Sequence, residues 1–416
     1  MHISDAAGNS YLDMSGGAAV SCLGHSHPDV IAALKKQFNS LAFAHTAFFT
    51  NEPQEKLAAI LAGRFGDPGA RVYFLSGGSE ANETAMKLAW QYWAARGEAG
   101  KKIIVSRENS YHGNTLGALS ASGNAGRRRA SAAPLVEWPR ISPCYEYREA
   151  REKETSADYG TRAAHELGSA IRKHGKDNIA AFIAEPVVGS SLGVVSAAPG
   201  YFNHIRRICD ENRILLIADE IMCGNGRTGT YFAHEYDDFR PDIVTLAKGI
   251  GGGYMPLAAV VMSEHIALEL SRSGFAHGHT FVGHAAACAA GVAVQTVIDR
   301  DALLTRTRNL GESLLALLQD AFSDHPLVGD IRGRGLFAAI ELVSDRATKA
   351  GFEKGNDLDE QLRLAAMQQG LICYPGKMSV EGLTVPHVML APPMIVDEQQ
   401  LEEGVSKLSA AIDQVF

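Results

Sequence analysis

Four short apolar runs constrain this chain more than any other feature. "KKIIVSRENSYHG", "NIAAFIAEPVVG", "RILLIADEIMCG" and "PDIVTLAKGIGG" each read as a strand entering the interior, and each closes on polar or glycine residues. Helical stretches fall between such runs. "YFNHIRRICDEN" fits a crossover helix, and "VYFLSGGSEANETAMKLAWQYWAARG" reads as strand, tight glycine turn and a helix of several turns. Strands separated by helices predict an α/β fold with a mostly parallel sheet covered on both faces. Open sheets of this kind bind ligands outside the carboxyl ends of their strands, which is where these runs place their polar residues.

At 416 residues the chain exceeds one ordinary domain. From about residue 285 the pattern changes to a long helical stretch broken near Arg300, a strand pair in "GDIRGRGLFAAIELV" and a helix near Glu360 to Gln369. We therefore expect a large domain over 46–290, a smaller α+β domain over 291–416, and an N-terminal segment, 1–45, packed with the smaller one. A formal charge of −8 argues against nucleic acid as a partner. The tight basic run Arg127-Arg128-Arg129 reads as a solvated loop. Six widely spaced cysteines, with no Cys-x-x-Cys pair, suggest neither a metal site nor a disulfide framework. No stretch approaches the roughly 18 apolar residues of a membrane span. The N-terminus lacks a basic flank followed by an apolar core. The expectation is a cytoplasmic protein.

The ends of the runs carry the chemistry. "SGGSEANET" is a turn entering a helix, where Gly77 and Gly78 admit close approach and free N–H groups favour an anion; the alternative is a plain helix start. Asp219 and Glu220 end one strand, and Glu185 and Tyr111 end others. A carboxylate at such a position suits a metal, a base, a ring nitrogen or merely a helix cap, and the adjacent "IMCGNGRTG" offers no further metal ligand. Lys248 follows an apolar strand and precedes four glycines. A desolvated lysine has a lowered pKa and attacks aldehydes. An anion loop, an aromatic, strand-end acids and a buried lysine together describe pyridoxal 5′-phosphate held by its two ends.

The ordered motifs "SGGSEANETA", "YHG", "AEP", "ADEIMCGNGRTG", "LAKGIGGGYMPLAAVV", "HGHTFVGHAAACAA" and "LAPPMIV" resemble the class III aminotransferases, fold-type-I pyridoxal-phosphate enzymes, from about residue 8 onward. The resemblance implies that Lys248 is the Schiff-base lysine and the acid–base group at the substrate carbon. It implies that Asp219 faces the pyridine nitrogen and that Gly78 and Ser79 bind the phosphate, with Gly77 allowing the approach. Tyr111 is expected to stack on the ring with Ile221 on its other face, and Glu185 to sit beside the cofactor. Thr280 resembles the threonine that reaches the phosphate of the neighbouring subunit, implying a homodimer with shared sites. Arg227 belongs to a family loop and is expected to be structural.

The chain departs from the family in two places. Relatives that take amino acids carry an arginine shortly before "APP", but no arginine follows Arg363 here. Arg140, Arg148 and Lys377 are the candidates for receiving a substrate carboxylate, the arginines being favoured for their fork geometry. Little sequence also precedes "DAAGNSYLD", where relatives carry an extra segment. The activity these features imply is transfer of an amino group from an amine or ω-amino acid to a 2-oxo acid. A same-fold isomerase, an aminomutase or racemase, would need the same lysine, aspartate and phosphate loop.

Overall fold

The computed structural model describes residues 1–355, 357–380 and 382–416. Its largest sheet has seven strands, in the order Arg71–Leu75, Ala258–Met262, Ile243–Leu246, Leu215–Asp219, Ile179–Ala184, Ile103–Arg107 and Arg140–Ile141. All run parallel except Ala258–Met262, which is antiparallel to both neighbours. Ile179–Ala184, Leu215–Asp219, Ile243–Leu246 and Ala258–Met262 are buried along their whole length. Their unbroken apolar character follows from having both faces covered. Side chains alternate accordingly. Ile183, Leu215 and Ile217 meet the helix Gly78–Ala95, whereas Phe182 and Leu216 meet the helices Ser156–His174 and Tyr201–Asn212. This is the mixed, mostly parallel sheet with helices on both faces that the apolar runs predict.

A second sheet is wholly antiparallel, in the order Val328–Gly333, Ala338–Leu342, Leu383–Leu390 and Tyr374–Val380. Its core includes Leu314, Leu318, Leu362 and Leu401 from three helices and also Leu12 and Met14 from the N-terminus. The helical stretch from 285 divides into Ala285–Arg300 and Leu303–Phe322, with Ala302 between them at φ 48°.

The strand Ser10–Asp13 pairs in parallel with Leu371–Ile372 and leads into an unusual turn. Gly16, Gly17, Ala18 and Ala19 all have positive φ, of 55°, 61°, 62° and 64°. Left-handed geometry costs an L-residue roughly 1–2 kcal/mol, so the two alanines need support from their surroundings. The Asp13 carboxylate accepts hydrogen bonds from the Ser15 and Gly16 amides at 3.0 and 2.9 Å, fixing the entry to the turn.

The triple-arginine run is not simply solvated. It forms the short helix Ala125–Arg129, capped by Asn124, and Arg128 is buried, donating to the carbonyls of Leu119 and Ser120 and pairing with Glu137 at 2.6 Å. Three positive charges in succession read as surface, but carbonyls at the end of the preceding helix draw one of them inside.

Gly16 offers a direct test of the turn. A Cβ there would lie 2.7 Å from the Ala391 carbonyl oxygen, whereas at Gly17 the nearest atom would be 3.9 Å away. Gly17→Ala is expected to cost about 1 kcal/mol from left-handed strain alone, and Gly16→Ala at least about 2 kcal/mol. Urea midpoints measure both; equal losses would show that the contact with Ala391 does not constrain the turn.

Candidate active site

The parallel register assembles the site. Thr245 pairs with Asp219, and Ala184 pairs with Ala218, so Asp219 and Glu185 end adjacent strands and Lys248 follows on a third. These ends line a cavity of about 440 Å³. Gly77, Gly78 and Ser79 form one part of its wall; Tyr111 and Ile221 also line it. Thr280 is exposed and lies outside the wall of its own chain's cavity.

Lys248 has φ 50° and directs Nζ to the carbonyl of Ala18, 3.0 Å away in the left-handed turn. Burial lowers its pKa to about 8, against the opposing pull of Asp219 and Glu185 and helped by Arg227 and Arg127. An amine so placed is still mostly protonated near pH 7, but about a tenth of it is neutral, far more than for a lysine in water, and the neutral form is what a nucleophile requires.

Asp219 is buried but well partnered. Its Oδ2 accepts from Asn82 Nδ2 at 2.7 Å and lies 2.8 Å from His112 Nδ1, and its Oδ1 accepts from the Ile221 amide at 3.1 Å. Asn82 also donates to the His112 carbonyl at 2.6 Å, locking the pair together. Sequence reasoning missed both partners. Each lies inside a motif already singled out, "SGGSEANET" and "YHG", but Asn82 sits on a helix and His112 in a loop, and neither position points to Asp219.

Glu185 is held up at about pKa 7, chiefly by burial and further by the charge of Asp219, with His112 and Arg107 opposing. The Tyr111 amide donates to its carboxylate at 3.4 Å, and Arg107 donates to its backbone carbonyl. Among the described residues no cation pairs directly with the carboxylate.

The helix Gly78–Ala95 begins at Gly77 without a side-chain cap, leaving its first amides available to an anion. A Cβ at Gly77 would meet no atom within 4 Å, so the missing side chain leaves open space beside those amides. The Asn114 amide donates to Ser79 Oγ at 3.0 Å, fixing the hydroxyl. An anion cradle, a buried aspartate, an aromatic, an apolar residue and a lysine of lowered pKa fit pyridoxal phosphate.

The three cations expected to meet a substrate carboxylate are all engaged elsewhere. Arg140 pairs with Glu108 and Glu137, Arg148 is buried against Glu341, and Lys377 pairs with Asp359 at 2.8 Å; none lines the cavity. Each is neutralised by an acid whose position only the fold reveals. Arg227 is buried and donates to the carbonyls of Leu336 and Pro392, tying its loop to the C-terminal region.

The family profile described as aminotransferase class III matches residues 1–412. An aminotransferase of Schizosaccharomyces pombe is 40% identical over 408 residues, which cover 97% of this chain and 89% of that protein. The putrescine–pyruvate aminotransferase of Pseudomonas aeruginosa is 32% identical, with 100% of this chain and 89% of that one covered. The omega transaminase of Pseudomonas jessenii, solved in complex with PMP, matches with a TM-score of 0.92 at 34% identity, covering 100% of this chain and 90% of its own.

Glu185 gives the site a pH signature. Because its folded pKa is raised from 4.5 to about 7, the folded form keeps a proton that the unfolded chain has lost in that interval. Its contribution is fully present below about pH 4.5 and is lost as pH rises to 7, by at most about 3 kcal/mol. Urea unfolding of the cofactor-free protein at pH 5 and pH 8 should show a smaller difference in Glu185→Gln than in the wild type. Identical differences would mean that Glu185 is not desolvated.

Proposed function

The chain belongs to the class III aminotransferases, and from that premise we propose that it moves an amino group from an amine or ω-amino acid to a 2-oxo acid such as pyruvate, using pyridoxal 5′-phosphate as a cytoplasmic homodimer. One observation carries the reading above the others. A buried lysine amine, lowered to about pKa 8, shares a cavity with a partnered aspartate and an uncapped helix N-terminus.

When bound, pyridoxal phosphate supplies an aldehyde to capture amines and a ring to spread the charge left at the substrate carbon. The rest falls to the chain. Gly78 and Ser79 hold the phosphate through amides and hydroxyl, and Gly77 leaves room for it. Tyr111 and Ile221 flank the ring. His112 and Asn82 orient the Asp219 carboxylate toward the ring nitrogen. Lys248, whose proton affinity burial has lowered, carries the proton off and onto the substrate carbon. Burial of Asp219, Glu185 and Ala247 keeps bulk water from the reacting groups. The pyruvate named for the Pseudomonas aeruginosa relative supports the acceptor class.

The dimer is supported by Thr280, exposed beside Phe281, and by Phe48 and Phe49, which are 78% and 67% exposed. Across the interface Thr280 would reach the partner's phosphate.

Borohydride reduction and peptide mapping of the holoenzyme should place the covalent label on Lys248; a label on another lysine sinks the assignment. Asp219→Asn should fold normally yet slow the single-turnover half-reaction by about 100-fold or more. A panel of amines with pyruvate and 2-oxoglutarate, followed by cofactor absorbance, tests the reaction itself. Release of a keto product in one turnover identifies transamination, whereas its absence with substrate rearranged would identify an isomerase.

A further inference from the structure

The antiparallel sheet reaches the active-site cavity through one turn. Two residues beyond Glu185 the chain forms a small hairpin, in which Val187–Val188 pairs with Val195–Ser196. Ser190, on the turn between them, lines the cavity, and so does Met222. The turn packs tightly on Met222, since a Cβ on Gly189 would lie 2.3 Å from its sulfur. Where the turn sits therefore decides where two side chains of the cavity wall sit.

The turn carries strain and is held from outside. Val194 has φ 56°, a left-handed value that a β-branched residue avoids. Within the turn the amides of Gly193 and Val194 both donate to the Gly189 carbonyl, at 2.9 and 3.3 Å. Three further carbonyls are gripped from the antiparallel sheet. His387 Nε2 meets that of Ser190 at 3.1 Å, and Arg332 donates to those of Leu192 and Gly193 at 2.6 Å each. Arg332 is itself anchored by Asp330 at 2.7 Å and by the buried Glu341 at 3.0 Å.

His387 is built into this contact. It is fully buried, and its ring lies between two glycines: a Cβ on Gly193 or on Gly376 would come 2.6 Å from it. A carbonyl only accepts, so Nε2 carries the hydrogen. Burial, with the charge of Arg332 adding to it, pushes the imidazole down to about pKa 3. Near neutral pH the ring is thus a fixed donor and neither an acid nor a base.

We propose that His387 is a positioning residue which, together with Arg332, fixes the Ser190 turn and so sets the width of the cavity offered to the amine donor. Phosphate and ring are assigned to Gly77, Gly78, Ser79, Tyr111, Ile221 and Asp219, which other elements carry, so the turn is left to meet the substrate. The inference rests on the transaminase reading and deepens it. Selectivity among donors then depends on a sheet of which no described residue lines the cavity.

The test uses the holoenzyme with pyruvate as acceptor. Donors are butan-1-amine, butane-1,4-diamine and 4-aminobutanoate, each paired with its analogue bearing a methyl group on the amine-carrying carbon. His387→Leu removes the donor, whereas His387→Gln can place an N–H near the position of Nε2. In His387→Leu the ratio of kcat/KM within a pair should shift about fivefold in favour of the branched amine, because a released turn lets the wall yield. His387→Gln should return the ratio to within twofold of the wild type. Arg332→Lys, which keeps a charge for Asp330 and Glu341 but cannot fork to two carbonyls, should shift it in the same direction as His387→Leu. Hydrogen exchange of the holoenzymes should quicken over 187–196 in His387→Leu and not in His387→Gln, with the segment around Gly77 unchanged in both. Melting temperatures that fall alike in both histidine variants with no change in the ratio would mark a merely structural contact and overturn the proposal. Faster exchange without a shift in the ratio overturns it too, and either result leaves transamination standing. A wild type that converts none of the amines overturns the transaminase reading and this role with it.

Discussion

A parallel sheet delivers the carboxyl end of every strand to one edge, and the chemistry of this protein depends on that constraint. Lys248, Asp219, Glu185 and Tyr111 lie far apart in sequence but follow strands that share the edge. The register, with Asp219 beside Thr245 and Ala184 beside Ala218, sets their lateral order. Burial does the rest. The same desolvation lowers the lysine and raises the glutamate, so proton affinities that differ widely in water approach each other inside the cavity. The geometry and the acid–base behaviour thus share one cause, strand ends sunk below the protein surface.

The charged groups that the cavity brings together were legible in the sequence because each ends an apolar run. Lys248, Asp219 and Glu185 interrupt stretches that would otherwise be wholly hydrophobic, and Gly77 and Gly78 occur where a strand turns into a helix. The groups that steady them were not legible. Asn82 and His112 meet Asp219 across 137 and 107 residues of chain, and nothing local marks them for that carboxylate. Cations misled for a related reason. Arg148 has the residue type suited to a substrate carboxylate, but Glu341, 193 residues away, occupies it. Arg128 looked solvated until the carbonyls of Leu119 and Ser120 came to face it. A charge declares its chemistry in the sequence, whereas its availability is a property of the fold.

The left-handed turn at Gly16–Ala19 is one of the links between the N-terminal segment and the loop that carries Lys248. Its N-terminal side belongs to a strand pairing with Leu371–Ile372, while the Ala18 carbonyl receives the amine of Lys248. Two alanines are held in a conformation that L-residues avoid, and the lysine supplies one of the bonds that compensate. Whenever the amine is engaged elsewhere, that carbonyl loses its donor and the turn keeps its strain with less to oppose it. The N-terminal strap then becomes a gauge of the lysine's occupancy. Its amides should exchange with solvent faster when the lysine is committed and slower when it is free, so that the state of the lysine is readable from the backbone of the N-terminal segment.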